Sequence, residues 1–301
     1  MNRITKLFFT ILSLTSIAGA QEIALTFDDA PIRAGAYYSG IERAKTLIEK
    51  LKKSGVPQAA FFCITSQMDS LGATRIKLYA EASHIIANHT HSHISMRQLG
   101  VTKYIQDIFK ADEILRRRLS FRAWFRYPFR DEGRTREDRD AIRQALAERG
   151  YMNGYVTVDN YDWYLERLWQ TALREKKKID YDKLRQIYLE HLWKSITFYD
   201  QMARQAIGRS PKHVLLLHEN DLAALYVAEL VALLREKGWK IISPTEAFTD
   251  PIATNVPDVL LNNQGRVAAI AKANGYPGLL SQDSEDEAFL EKLFLSAGVM
   301  E

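Results

Sequence analysis

The chain alternates short apolar runs with amphipathic stretches about seven times, and this alternation constrains its fold more than any other feature. The apolar runs predict strands at residues 23–25, 58–64, 84–88, 123–127, 154–158, 213–217 and 240–242. Between them, apolar residues recur at helical spacing. Strands that alternate with helices are typical of parallel α/β proteins, because parallel strands need a crossover connection. We therefore predict an α/β fold.

Helix signals lie at the expected places between the strands. Ser39 and Glu42 have the spacing of a capping box, which predicts a helix start. Thr102 is a second candidate cap, and a helix over 135–149 is predicted to stop at Gly150, which suits a left-handed cap.

Two segments fall outside the alternation. Residues 164–209 read as a long helical insertion, broken near the lysines at 176–178, and the tail after Pro251 is rich in turns. We therefore predict a domain over residues 21–250 that carries this insertion, followed by a C-terminal extension over 251–301.

The first twenty residues have the layout of a signal peptide. Arg3 and Lys6 precede an apolar run that ends in small residues, which predicts cleavage after Ala20 and a secreted or periplasmic protein. The run is too short for a membrane span, so we expect no transmembrane segment after its removal. The formal charge of +4 then falls to +2, which gives no indication of nucleic acid as a partner. The single cysteine, Cys63, lies in an apolar stretch and is interpreted as a buried thiol.

Unusual polar residues follow the predicted strands, which is where parallel barrels build their active sites. We therefore favour a distorted, incomplete parallel (β/α)7 barrel over an open sheet. Asp28 and Asp29 follow the first strand. Because side chains alternate along an extended segment, the two carboxylates should point in different directions. One could then bind a metal while the other moves protons, although Asp-Asp-Ala-Pro is also ordinary turn chemistry.

Three of the seven histidines lie within residues 89–93. On one helical turn, His89 and His93 would face the same way and could share a cation, while His91 would face away. One carboxylate and two histidines leave a coordination position for water, which is the layout of a catalytic zinc site. A solvated histidine cluster is the alternative interpretation.

These residues carry a family resemblance. The segments Thr26-Phe27-Asp28-Asp29-Ala30-Pro31 and His89-Thr90-His91-Ser92-His93 resemble the first two motifs of the polysaccharide deacetylases, the carbohydrate esterases of family 4 with NodB homology. The resemblance implies that Asp29, His89 and His93 bind Zn²⁺ or another divalent metal such as Co²⁺ or Ni²⁺. It also implies that Asp28 is the general base.

The later motifs have matches in the family's order. Residues 125–129 resemble the third motif, in which Arg126 would orient the base and the backbone near Phe129 would hold the oxyanion. The family usually has Tyr-Gly where this chain has Phe129-Arg130, and Arg130 could crowd or recharge the groove.

Residues 159–163 and 214–218 resemble the fourth and fifth motifs. Asp159 and Asp162 would then pair with the motif arginine or the acid histidine, and Trp163 would line the pocket. Leu216 would line an acetyl pocket, and His218 would be the general acid. Core packing is the alternative interpretation of Trp163.

The resemblance, which spans about residues 21–245, implies a deacetylase of the family's barrel type. We expect an exported, metal-dependent hydrolase that removes acetyl groups from N-acetylated or O-acetylated carbohydrate, such as peptidoglycan or a chitin-like oligosaccharide. The alternatives are a catalytically silent relative that binds glycan or protein, and an amidase that cleaves a non-sugar C–N bond.

Overall fold

The computed structural model of the protein describes residues 20–300. Within them, seven strands form one parallel sheet. The strands are β1 (Glu22–Ala30), β2 (Ala60–Cys63), β3 (Ile85–Asn88), β4 (Phe121–Phe125), β5 (Met152–Asn153), β6 (His213–His218) and β7 (Lys240–Ile241). Their order is β5-β4-β3-β2-β1-β6, and β7 pairs with the start of β1.

The sheet curls so far that its two edges meet at one irregular segment. Gly154 donates to the carbonyl of Phe125 on β4, whereas Val158 forms a parallel bridge with Leu215 on β6. The predicted strand over 154–158 is therefore wrong, because these residues cross from one edge to the other instead of pairing along their length. We call residues 154–158 the seam. The predicted distorted, incomplete barrel is confirmed, with the seam as its incomplete side.

Helices cover the outside of the sheet. Those that follow the first four strands are α1 (Gly40–Lys53), α2 (Ser70–Glu81), α3 (Met96–Leu99), α4 (Val101–Leu115) and α5 (Arg136–Glu148). The later ones are α6 (Asp162–Arg174), α7 (Tyr181–Ile207), α8 (Asp221–Glu236), α9 (Pro244–Ala247), α10 (Arg266–Ala273) and α11 (Glu287–Ser296). Short 3₁₀ turns lie at Thr65–Gln67, Pro128–Arg130, Pro251–Ala253 and Asp283–Glu285.

Local sequence explains most helix ends. Ser39 and Glu42 form the predicted capping box of α1, and Gly150 adopts φ +71° just after α5. The prediction that Thr102 caps α4 is wrong: the cap residue is Gly100, whose φ of +74° places the start of α4 directly after α3. A threonine pattern cannot reveal this, because the boundary depends on a glycine conformation that joins two helices.

The core lies on both faces of β1. Ile23, Leu25 and Phe27 on one face and Ala24 and Thr26 on the other are fully buried. Phe27 stacks on Phe61 of β2, which stacks on Tyr79 of α2. Strands buried on both faces read as continuous apolar runs, which is why these strands were visible in the sequence.

The predicted helical stretch over 164–209 consists of α6 and α7 with a break at residues 175–180. The extension packs back onto it, since α10 contacts α7 and α11 contacts α6. Among residues 20–300, no helix combines the length and apolar character that crossing a membrane requires. The predicted leader lies outside the described residues except for Ala20.

Candidate active site and metal centre

A bulge at the end of β1 separates the two aspartates. Phe27 is paired with Phe61 and Ala30 with Cys63, so β1 holds one residue more than β2 over this stretch. Asp29 takes up the extra length with φ +66°, a conformation that aspartate tolerates better than most residues. The two carboxylates therefore point to different partners at the same end of the strand.

The histidine segment follows β3 as an irregular loop. The predicted helical turn from His89 to His93 is wrong, because Thr90 and His93 both have positive φ, at +69° and +58°. Thr90 Oγ1 instead accepts from the His93 N–H at 2.9 Å, and Asn88 Oδ1 accepts from the Thr90 N–H at 2.8 Å. His91 faces away, 2.9 Å from Thr65 Oγ1. Side-chain bonds to the backbone fix this loop, and they outweigh the helical spacing.

The bulge and the loop bring three candidate ligands together. Asp29 Oδ1 lies 3.2 Å from His93 Nε2 and 3.4 Å from His89 Nε2, and the three ligand atoms all lie within 4.8 Å of one another. Ligands about 2.1 Å from a tetrahedral ion lie roughly 3.4 Å apart. Asp29 Oδ1 is buried and accepts no hydrogen bond within residues 20–300. An orphaned carboxylate oxygen beside two imidazole nitrogens fits a zinc-like cation.

The ring orientations and charges also fit a cation. His89 Nδ1 lies 2.8 Å from the carbonyl of Arg126, so Nδ1 is the donor and Nε2 is the nitrogen that faces the cluster. Burial lowers the pKa of His93, which favours the neutral, ligating form. Burial alone would raise the pKa of Asp29, but the imidazoles of His93, His89 and His218 lower it well below its usual range.

Asp28 is held by a buried arginine. Arg126 Nη1 donates to Asp28 Oδ1 at 2.6 Å and to Thr26 Oγ1 at 2.9 Å, and Nε donates to the seam carbonyl of Gly154 at 2.6 Å. Asp28 Oδ2 points toward the cluster, 3.7 Å from His89 Nε2. One oxygen of Asp28 is thus fixed while the other faces the candidate metal centre.

His218 ends β6 beside the cluster and pairs with Asp162, the first residue of α6. His218 Nδ1 lies 2.6 Å from Asp162 Oδ1, and its backbone N–H donates to Asp162 Oδ2 at 3.0 Å. Burial alone would lower the pKa of His218, but Asp162, with help from Asp29 and Asp28, raises it to about 9. The imidazole is therefore protonated at neutral pH.

Asp159 has a partner that differs from the expected one. The family resemblance implies that the fourth-motif aspartates pair with the motif arginine or the acid histidine, and Asp162 does contact His218. Asp159 instead lies 2.6 Å from Nε of Arg130, the residue expected to crowd or recharge the groove. Burial raises the pKa of Asp159 to about 6, although Arg130 opposes the rise. Arg130 thus directs its Nε toward a buried carboxylate.

The three predicted substrate-binding residues lie in different environments. Phe129 is 47% exposed, and its ring centroid lies 4.8 Å from that of His93. Trp163 is half-buried and packs against Tyr161 and Tyr164. Leu216 lies two residues before His218 and therefore faces the same side of β6, and it is fully buried.

Several buried charges behind this site are not marked by any of the sequence motifs. Glu219, directly after His218, is fully buried and accepts from the Tyr79 hydroxyl at 2.6 Å. Asp221 pairs with Arg43 at 2.6 Å. The strand end marked by His218 could have drawn attention to Glu219, but no local pattern marks Arg43.

Part of the chain is similar to known proteins. The family described as Polysaccharide deacetylase has a sequence model that matches residues 16–154. That match includes the β1, His89–His93 and Arg126 positions and ends before Asp159. A peptidoglycan-N-acetylglucosamine deacetylase of Bacillus cereus is 31% identical over 143 residues, which is 47% of this chain and 46% of the relative. The chain therefore spans less than half the length of that relative.

Solved structures share the fold over more of the chain. A family 4 carbohydrate esterase from Streptomyces lividans, solved with acetate, has a TM-score of 0.50 and 19% identity, covering 75% of this chain and 95% of its own. A family 4 carbohydrate esterase pseudoenzyme from Bacillus anthracis has a TM-score of 0.53 and 18% identity, covering 76% of this chain and 66% of its own. At this identity the likeness establishes a common fold.

Proposed function

We propose that this chain belongs to the polysaccharide deacetylase family, whose model matches residues 16–154, and that it is an exported, metal-dependent deacetylase. Its substrate would be an N-acetylated or O-acetylated carbohydrate such as peptidoglycan or a chitin-like oligosaccharide. One observation carries the proposal. A three-ligand cluster lies between a carboxylate fixed by Arg126 and an imidazole paired with Asp162.

Asp29, His89 and His93 are the proposed ligands of Zn²⁺, or of Co²⁺ or Ni²⁺. The separations of their ligand atoms and the orphaned Asp29 Oδ1 support this assignment. A bound divalent ion polarises an acyl carbonyl and makes water more acidic. The remaining chemistry falls to the residues around the cluster.

Asp28 is the proposed general base. Arg126 fixes its Oδ1, so Oδ2 is the oxygen free to accept a proton from the attacking water. The hydrogen bond from Arg126 also holds the carboxylate in one orientation. This lowers the entropy cost of aligning the base with the water in the transition state.

His218 is the proposed general acid. Its Nδ1 is engaged by Asp162, so Nε2 carries the proton that can pass to the leaving nitrogen as the C–N bond breaks. The products are acetate and a free amine, with the water's proton taken by Asp28 and the amine's proton supplied by His218.

The rest of the site would hold the substrate. The backbone near Phe129 is the proposed oxyanion donor. The Phe129 ring is exposed and lines a surface groove with Gln98 and Asn263, so it is suited to contact a sugar face. Trp163 is a second candidate wall. Leu216 is the proposed floor of an acetyl pocket, on the same side of β6 as His218.

Export is proposed from the leader, and N-terminal sequencing of the secreted or periplasmic product is expected to begin at Gln21.

The activity is tested by acetate release from chitin oligomers, peptidoglycan and acetyl-xylan. We expect release from at least one of them, loss on treatment with a chelator, and recovery with Zn²⁺. Protein that carries no metal and releases no acetate would instead support a silent glycan- or protein-binding relative. Metal-bound protein inactive on all three would direct the search to non-sugar amides.

A further inference from the structure

We propose that a second site, behind the seam, binds a small oxyanion of the phosphate or carboxylate class. It is a small cavity between the barrel and the C-terminal extension. Its walls come from the 3₁₀ turn Pro128–Arg130, α5, the seam and residues 257–269. We call it the arginine cavity.

The charge of its walls is strongly positive. Five arginines and a single carboxylate line it: Arg126, Arg130, Arg139, Arg143, Arg266 and Glu132. Four of these arginines contact a carboxylate, namely those of Asp28, Asp159, Asp258 and Glu132. Arg266 is the exception.

Arg266 is a buried cation with no carboxylate in contact, since the one carboxylate of the cavity acts on it from farther away and already pairs with another arginine. Its side chain is 5% exposed, and across residues 20–300 no carboxylate oxygen lies within 4.0 Å of its guanidinium. It donates from Nη1 to the carbonyls of Ile252, Ala253 and Asn255, the nearest at 2.9 Å. Backbone carbonyls neutralise no charge, and an uncompensated buried cation is destabilising. A bound anion would supply the missing charge.

Tyr155 provides an independent sign of a ligand. Its residue is 6% exposed and lines the cavity, but its hydroxyl has no hydrogen-bond partner in the described part of the chain. The Arg266 guanidinium lies 4.7 Å from the centre of the Tyr155 ring. Buried hydroxyls are normally paired, so an unpaired hydroxyl on a ring that packs against a cation with no contacting carboxylate indicates a ligand that accepts from both.

The chemistry of these donors selects an oxyanion. A guanidinium presents its N–H groups in a planar fork that matches carboxylate and phosphate oxygens, and a tyrosine hydroxyl can donate to the same group. Burial raises the pKa of Tyr155, so the hydroxyl keeps its proton. Because the donors come from the seam and the extension, binding would tie residues 251–300 to the barrel.

The test is thermal unfolding of the full chain with inorganic phosphate or malonate, each compared with sodium chloride at equal ionic strength. We expect at least one of the two anions to raise the midpoint beyond the chloride control, since a ligand of the folded state stabilises it. Arg266→Gln should remove this shift. Tyr155→Phe should weaken the apparent affinity about five- to tenfold, the effect of one lost hydrogen bond.

Two controls locate the anion. Arg174→Gln removes an exposed arginine of α6 and should keep the shift. His93→Ala should also keep it, which separates this site from anion binding at the proposed metal centre. If Arg266→Gln does not fold, Tyr155→Phe decides alone, because its hydroxyl makes no bond within the described residues. Equal shifts in the wild type and Tyr155→Phe, or no shift beyond chloride with either anion, would overturn the proposal.

Discussion

Strand β6 carries a histidine–aspartate pair at each end, and the pKa values of the two histidines are shifted in opposite directions. His213, at the start, lies 3.2 Å from Asp200, and burial lowers its pKa. His218, at the end, lies 2.6 Å from Asp162, and its pKa rises to about 9. Both imidazoles are buried on the same strand, so burial and pairing alone do not explain the difference.

The aspartates differ in how much of their charge is already compensated. Asp200 also accepts from Gln21 at 2.7 Å and from the Arg204 guanidinium at 2.8 Å. Asp162 accepts, besides His218, from the side-chain amide of Asn220 at 3.3 Å, and no cationic side chain other than His218 lies within 4.0 Å of it in the described chain. His218 also feels Asp28 and Asp29. A buried histidine becomes a proton donor where carboxylates outnumber cations, and this occurs at the end of β6 that faces the site.

The largest effect is expected from removing the proposed base Asp28, which lies beside the His218 end of β6, with Asp200 at the His213 end as the control. Asp28→Asn should lower kcat by roughly 10²–10⁴ while metal content is retained, because an amide cannot accept the proton. Asp200→Asn should keep kcat and lower the free energy of unfolding by roughly 2 kcal/mol through weakened charged hydrogen bonds. Acetate release, metal analysis and denaturant unfolding measure these. Full activity of Asp28→Asn would reject Asp28 as the base.

Replacing each histidine in turn by glutamine tests whether its position on β6 decides its role. His218→Gln should lower kcat about 10²-fold, since glutamine cannot protonate the leaving nitrogen. His213→Gln should leave kcat near the wild-type value and act on stability. The measurement is acetate release at saturating substrate together with unfolding midpoints. Comparable losses of kcat in both variants would show that position on β6 does not decide the role.

The smallest effect is a shift in pH dependence. With its pKa of about 9, His218 should set the basic limb of activity, and Asp162→Asn should move that limb down by one to two pH units. The raised pKa of His218 also adds to the free energy of unfolding. This contribution is complete below pH 6.5 and is lost as the pH rises through about 9. The lowered pKa of His213 has the opposite sign, so its burial costs stability as the pH falls below 6.5. An unchanged basic limb in Asp162→Asn would contradict this assignment.

Much of the site was predictable because its residues follow buried strands. Asp28, His89 and His218 each come directly after, or at the end of, an apolar run, and parallel strands bring such ends together. The path of the chain between such points was less predictable. The histidine spacing suggested a helical turn, but Asn88 and Thr90 hold a loop through side-chain bonds to the backbone. Residues 154–158 read as a strand but cross between sheet edges.

The sequence by itself determined which charged groups stand at the strand ends and in what order, since both follow from local apolar periodicity. Only the tertiary structure decided how they pair. The bulge that separates Asp28 from Asp29, the contact between Arg130 and Asp159, and the different pKa values of His213 and His218 depend on residues far apart in the chain. Burial and neighbouring charge set these properties. Both are fixed by register and packing, which no local pattern records.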